Sequence, residues 1–184
     1  RFNAVKPEWG HTASPLMVGG KLIVQPGGAA GELGAIVALD ADTGETAWLA
    51  AGPPATYASP LGAKLGGREQ LIAMHAPPKK GMTLFGYAPN GKRLWQLRSP
   101  EDNYYVVPTP VVWRDKLVVA TEMLGVRLFG FDKTGKIIAK PVAINDDLLP
   151  TSVTPVVVGD RLVGYDSELR CLNLAQDAKT VWEH

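Results

Sequence analysis

The sequence predicts an all-β chain organised as a β-propeller of four-stranded antiparallel blades, with about four blades present. Three observations predict it. A Ser/Thr-Pro dipeptide recurs at Ser14-Pro15, Ser59-Pro60, Thr109-Pro110 and Thr154-Pro155, its prolines 45, 50 and 45 residues apart. Each dipeptide leads into short runs rich in Val, Ile, Leu and aromatics, bounded by Gly, Pro, Asp or Asn, which is strand chemistry. No window of helical length carries a clean 3.6-residue period. A period near 45 with four strands per unit marks an array of small sheets rather than one continuous core.

The elements follow in order within each unit. The first strand starts at the proline, where the missing N–H costs no ladder hydrogen bond. The second carries Leu22, Leu117 or Leu162 seven residues past its proline, and Leu71 eleven past. The second unit therefore holds about four extra residues, assigned to Lys64-Leu65-Gly66-Gly67. The third strand is Ile36-Val37-Ala38-Leu39, Leu84-Phe85-Gly86-Tyr87, Leu128-Phe129-Gly130-Phe131 or Leu169-Arg170-Cys171-Leu172. A polar turn comes next: Asp42-Thr43-Gly44, Asn90-Gly91 or Lys133-Thr134-Gly135. Asn90-Gly91 reads as a type I′ hairpin, whose central residues both need positive φ. Four residues past the glycine stands Trp48, Trp95 or Ala139; in the last unit Ala178 replaces the glycine and Trp182 closes it. The expected division is 1–13 for the end of a preceding blade and its connection, then blades at 14–54, 55–104, 105–149 and 150–184.

Composition bounds the function. The 184 residues are 46% hydrophobic with 20 Gly and 15 Pro, which suits many tight turns. The 19 basic and 18 acidic side chains leave a net charge of +1 and are scattered. That argues against a nucleic-acid or anionic-membrane surface, which needs a basic stripe. No apolar stretch reaches the roughly 18–20 residues of a membrane span. Cys171 is the one cysteine, so no intrachain disulfide forms, and its strand setting reads as small-residue packing.

The stretch Ala38-Leu39-Asp40-Ala41-Asp42-Thr43-Gly44-Glu45-Thr46-Ala47-Trp48 resembles the tryptophan-docking motif of the quinoprotein, or PQQ-like, β-propeller repeat family. Gly130 to Lys136 is a second copy without the tryptophan, and Gly91 to Trp95 and Thr180-Val181-Trp182 match the motif's end. The resemblance implies that Trp48, Trp95 and Trp182 pack between neighbouring blades, and that Ala139 marks a differently filled junction. It also implies work outside the cytoplasm, periplasmic or secreted. The family holds two kinds of protein: dehydrogenases with pyrroloquinoline quinone and calcium in the channel, and scaffolds such as the propeller lipoprotein of the outer-membrane assembly machine. The motif is common to both and does not imply the cofactor.

Quinoprotein dehydrogenase chemistry needs an aspartate base, oxygen ligands for calcium and commonly a vicinal cysteine pair, which a single cysteine cannot supply. The acidic clusters Glu101-Asp102-Asn103 and Asn145-Asp146-Asp147 fall between blades and consist of ordinary turn residues. His11, His75 and His184 are too isolated for a metal site. No catalytic, cofactor-binding or metal residue is therefore assigned, and PQQ and calcium enter only under the alternative of a dehydrogenase segment. Topology places a ligand face instead. In an antiparallel blade, the loop leading into the first strand and the loop joining the second and third emerge together. Those loops gather His11, Tyr57, His75, Tyr104, Tyr105 and Glu122, suited to a protein, peptide or small polar ligand such as a carbohydrate. The three tyrosines read equally as inter-blade packing residues with wet hydroxyls.

The expected function is a non-enzymatic scaffold or binding module. At 184/4 = 46 residues per unit, the chain is expected to be half of an eight-bladed ring. It is then an excerpt of a longer protein, or one of two copies in a homodimer that completes the ring; a closed four-bladed ring is the remaining alternative.

Overall fold

The computed structural model describes residues 2, 7–27, 33–76, 81–99 and 106–184, with no helix among them. The strands form four antiparallel sheets of four, each a meander in chain order. Blade 1 holds β1 (Leu16–Val18), β2 (Lys21–Val24), β3 (Leu33–Asp40) and β4 (Thr46–Ala51). Blade 2 holds β5 (Leu61–Leu65), β6 (Arg68–His75), β7 (Thr83–Tyr87) and β8 (Arg93–Arg98). Blade 3 holds β9 (Val111–Trp113), β10 (Lys116–Thr121), β11 (Gly125–Phe129) and β12 (Ala143–Asn145). Blade 4 holds β13 (Val156–Val158), β14 (Arg161–Tyr165), β15 (Leu169–Asn173) and β16 (Lys179–Glu183).

Each repeat proline sits one residue before the first strand of its blade. The extra residues of blade 2 lengthen β5 and the start of β6, on either side of a two-residue turn at Gly66-Gly67 where both glycines have positive φ. The register shifts once near the end of the third strand in three blades, at Ala38/Leu39, Gly86/Tyr87 and Cys171/Leu172. Such bulges sharpen the local twist just ahead of the polar turn.

The hairpin at Asn90-Gly91 forms, but not as type I′. Gly91 has φ +84°, whereas Asn90 is not left-handed. The turn closes instead from the Gly91 N–H to the Ala88 carbonyl at 2.9 Å, with the Ala88 N–H on the Lys92 carbonyl. This is a longer loop with a single left-handed glycine, and Asn90 serves it by accepting the Lys92 N–H through Oδ1. In blades 1 and 3 an aspartate does the closing. Asp40 Oδ1 accepts from Asp42 N, Thr43 N and Thr43 Oγ1; Asp132 Oδ1 accepts from Thr134 N, Thr134 Oγ1 and Lys136 N.

The chain divides into two compact units. One comprises Arg1–Ala63 with Glu69–Val106, and the other Lys64–Arg68 with Val107–His184. In the first, Ile23, Ile36 and Ala38 of blade 1 pack on Leu71, Ala73, Phe85 and Tyr87 of blade 2, with Leu16, Val18, Trp48 and Ala50 at the margin. In the second, Trp113, Val118, Ala120, Val126, Leu128 and Ala143 of blade 3 pack on Leu162, Leu172, Leu174 and Ala178 of blade 4, and Leu148 fills between them. The alternation of every strand puts one set of side chains into these cores.

The repeat dipeptide has a visible purpose in each unit. The Ser14 N–H donates to Ser59 Oγ at 2.9 Å, and the Thr109 N–H donates to Thr154 Oγ1 at 3.0 Å. The hydroxyls of Ser59 and Thr154 thus clasp the equivalent residue of the preceding blade, satisfying an N–H that no strand partner reaches.

Candidate ligand face

The loop leading into β1 and the end of β2 meet in the first unit around a cavity of about 250 Å³. His11, Ala13, Pro15, Val24, Gln25 and Pro26 line it, so its wall is largely apolar. His11 is exposed. Gln25 is only 7% exposed; its Nε2 donates to the Ala58 carbonyl at 3.0 Å, and its Oε1 has no partner. A buried acceptor without a donor is costly, about 1–3 kcal/mol, and marks this spot as one where a donor would gain. Beside it, half-buried Tyr57 accepts the Trp9 N–H through its hydroxyl and the Thr12 hydroxyl through its carbonyl. Trp9 itself is 67% exposed.

His75 does not join that surface. It ends β6 fully buried, with Nδ1 donating to the Pro53 carbonyl at 2.9 Å and its ring edge-on to Phe85 at 5.1 Å. Burial pushes its pKa down to about 4, against smaller upward pulls from the Pro53 and Pro54 carbonyls. The ring is neutral, and Nε2 is an acceptor without a partner. Its expected place on an open face is corrected by packing: His75, expected as the first loop residue, is the buried last residue of β6. Tyr104 and Tyr105 lie outside the described residues. Glu122 is half-buried in the β10–β11 loop of the second unit.

The three tryptophans differ. Trp48 Nε1 donates to the Pro89 carbonyl of blade 2 at 3.0 Å, and its ring lies so close over Gly91 that a Cβ there would stand 2.6 Å from it. Trp95 is buried, faces Gly86 across the β7–β8 pair and donates to Gln70 Oε1 at 2.7 Å. Trp182 is 37% exposed and stacks at a tilt on His184.

Two structural residues escaped the sequence reading. At the blade 3–blade 4 junction, where Ala139 stands in the tryptophan position, Asn145 bridges instead. Its Nδ2 donates to the Ala178 carbonyl and to Thr180 Oγ1, and its Oδ1 accepts the Asp147 and Leu148 N–H groups. Trp113 adds a second link, its Nε1 donating to Asp160 Oδ1 at 3.0 Å. Asn145 was visible only as part of an acidic turn, and Trp113 lies off the docking position. Their neighbours are equally committed. Asp147 Oδ2 accepts the Thr180 hydroxyl, and Asp146 pairs with Arg127 at 2.7 Å. Asn145 and Asp147 thus serve the blade junction, and Asp146 an ion pair within blade 3.

The acids of blade 4 form a network around Arg170, which pairs with Asp166, Glu168 and Glu183. Burial alone would raise the Asp166 pKa. The N–H groups of Leu149, Ser167 and Glu168, together with Arg170, hold it down at about 2.

Four antiparallel four-stranded meander sheets define the chain as a segment of a β-propeller. Residues 3–132 match the family model described as outer membrane protein assembly factor BamB, and the chain belongs to that family. Among solved structures it is similar to BamB from Moraxella catarrhalis, at 23% identity and a TM-score of 0.63, over 95% of this chain and 48% of that one. The chain thus spans about half the length of that relative. No curated protein matches it.

Proposed function

We propose that this chain is a non-enzymatic propeller scaffold of the cell envelope that binds other proteins, acting in outer-membrane protein assembly as the family description states of its members. The observation that carries the reading is how the perturbed titratable groups are used. Asp40 and Asp132 close turns, His75 and Tyr87 are packed in a blade interface, Asp115 pairs with Lys116, and Asp166 pairs with Arg170. Catalytic sites concentrate such shifts in one cleft around a reacting group. Here they serve the repeat. The tryptophans at 48, 95 and 182 are read as blade-docking residues, and the face with His11, Tyr57 and Gln25 as the contact for polypeptide.

The test is a titration of the purified chain into a fluorescently labelled, urea-released outer-membrane β-barrel polypeptide, read by anisotropy. Saturable binding that weakens in His11→Ala supports the reading. No binding at tens of micromolar overturns it. Addition of PQQ with calcium discriminates the dehydrogenase alternative, because a bound-quinone absorbance change favours that alternative instead.

A further inference from the structure

The connection from blade 1 to blade 2, residues 52–59, is a strap that holds the ligand face from one side. Tyr57 anchors the loop leading into β1, accepting the Trp9 N–H at its hydroxyl and the Thr12 hydroxyl at its carbonyl. Ser59 Oγ accepts the Ser14 N–H, and the Ala58 carbonyl accepts Gln25 Nε2. His11, Ala13, Pro15 and Gln25 of the cavity wall therefore are, or adjoin, residues that the strap anchors. On its other side the strap is held by the end of β6. The Thr56 N–H and hydroxyl both donate to the Met74 carbonyl, and Ala55 bridges to His75. His75 Nδ1 donates to the Pro53 carbonyl at 2.9 Å.

The setting of His75 is made for a neutral ring. The ring is fully buried with Phe85 edge-on at 5.1 Å, and its Nε2 has no partner. Pro53, Pro54 and Ala55 of the strap and Thr83 and Phe85 of β7 face it, all of them uncharged. Tyr87, on the same face of β7, is held neutral by burial. Arg93 lies over Phe85, its guanidinium 5.9 Å from the ring centroid, and brings a second cation rather than a counter-ion. Among the described residues no carboxylate acts on the ring to balance an imidazolium. A proton on Nε2 would place a charge and an unsatisfied N–H inside the blade interface. That costs more than the one bond to Pro53 contributes. The ring relieves it by moving to water, which frees Pro53 and the adjoining strap.

We propose that His75 is an acid-sensitive latch of the ligand face, whose protonation releases strap residues 53–58 and with them the cavity wall at Gln25 and the loop leading into β1. Its effect on binding rests on that face being the polypeptide contact; its effect on the strap does not. Hydrogen exchange of the Thr56, Tyr57 and Ala58 amides in the full chain, corrected for intrinsic rates, reads the strap directly. A released ring takes its proton near 6.5 and the latched ring near 4. Opening should therefore become about twentyfold more favourable between pH 7 and pH 5. The expected result is that loss of protection at the strap, with the β2–β3 and β6–β7 ladder amides unchanged, and no such loss in His75→Gln. Unchanged strap protection overturns the latch. An equal loss in the ladders also overturns it, because the ring would then respond only to global unfolding. The anisotropy titration at both pH values is the second arm. The labelled barrel polypeptide should bind more weakly at pH 5, by up to about twentyfold, and equally at both in His75→Gln. Equal binding in the unaltered chain overturns the regulation, and a pH dependence that persists in His75→Gln overturns it in favour of His11. Strap opening without polypeptide binding at either pH supports the latch and sinks only the polypeptide reading.

Discussion

Burial decides the chemistry of His75 more than its residue type does. Its Nδ1–H donates to the Pro53 carbonyl in either protonation state and by itself favours the charged ring, but burial against Phe85 disfavours a charge more strongly. The unfolded chain takes up the proton near 6.5, but the folded chain holds off until about 4. Between those values the unfolded state binds more protons, so stability is complete above about 6.5 and falls as pH drops. The expected loss by pH 4 is about 3 kcal/mol. Urea midpoints from pH 7 to pH 4.5 measure it, and His75→Gln, which retains a donor for the Pro53 carbonyl, flattens the acid side. An acid limb equally steep in the variant would show that His75 is hydrated. Tyr87, whose hydroxyl also lacks a partner, is pushed by burial up to about 12 and stays neutral across that whole range.

At the level of the elements, the three tryptophans at the repeat positions predict a graded series. Trp95 is 4% exposed and bonded to Gln70, so Trp95→Ala should cost about 4–5 kcal/mol. Half-buried Trp48, with its one bond to Pro89, should cost about 3. Trp182 should cost less than about 1 in dilute protein. Chemical denaturation of the three alanine variants at submicromolar concentration reads the order, and a Trp182 cost equal to that of Trp95 would contradict the exposure of its ring. The repeat was legible because its signals are local: a proline at a strand start and a glycine in a turn. What stayed hidden depended on distance in space. His75 looked like a loop residue because its strand runs on unbroken into the blade interface. Asn145 looked like a turn residue because its partners Ala178 and Thr180 lie in another blade. Gln25 carried no mark beyond being a polar residue at the end of an apolar run. Asn90-Gly91 identified a hairpin correctly and its geometry wrongly, because Ala88 and Lys92 closed a longer loop.

For the molecule as a whole, the question is where the apolar area of the repeat goes. Each unit spends one face of each of its blades on its own core. Blade 4 then still carries Val156, Val158, Tyr165, Leu169 and Trp182 at its surface. Val158 is 63% exposed and lies outside the core that blades 3 and 4 share. Val158→Asp should therefore leave the melting midpoint of the chain within about 1–2 °C of where it was, since exposed substitutions away from the core cost little. A midpoint lowered by about 5 °C or more in thermal denaturation would show that this side chain is packed.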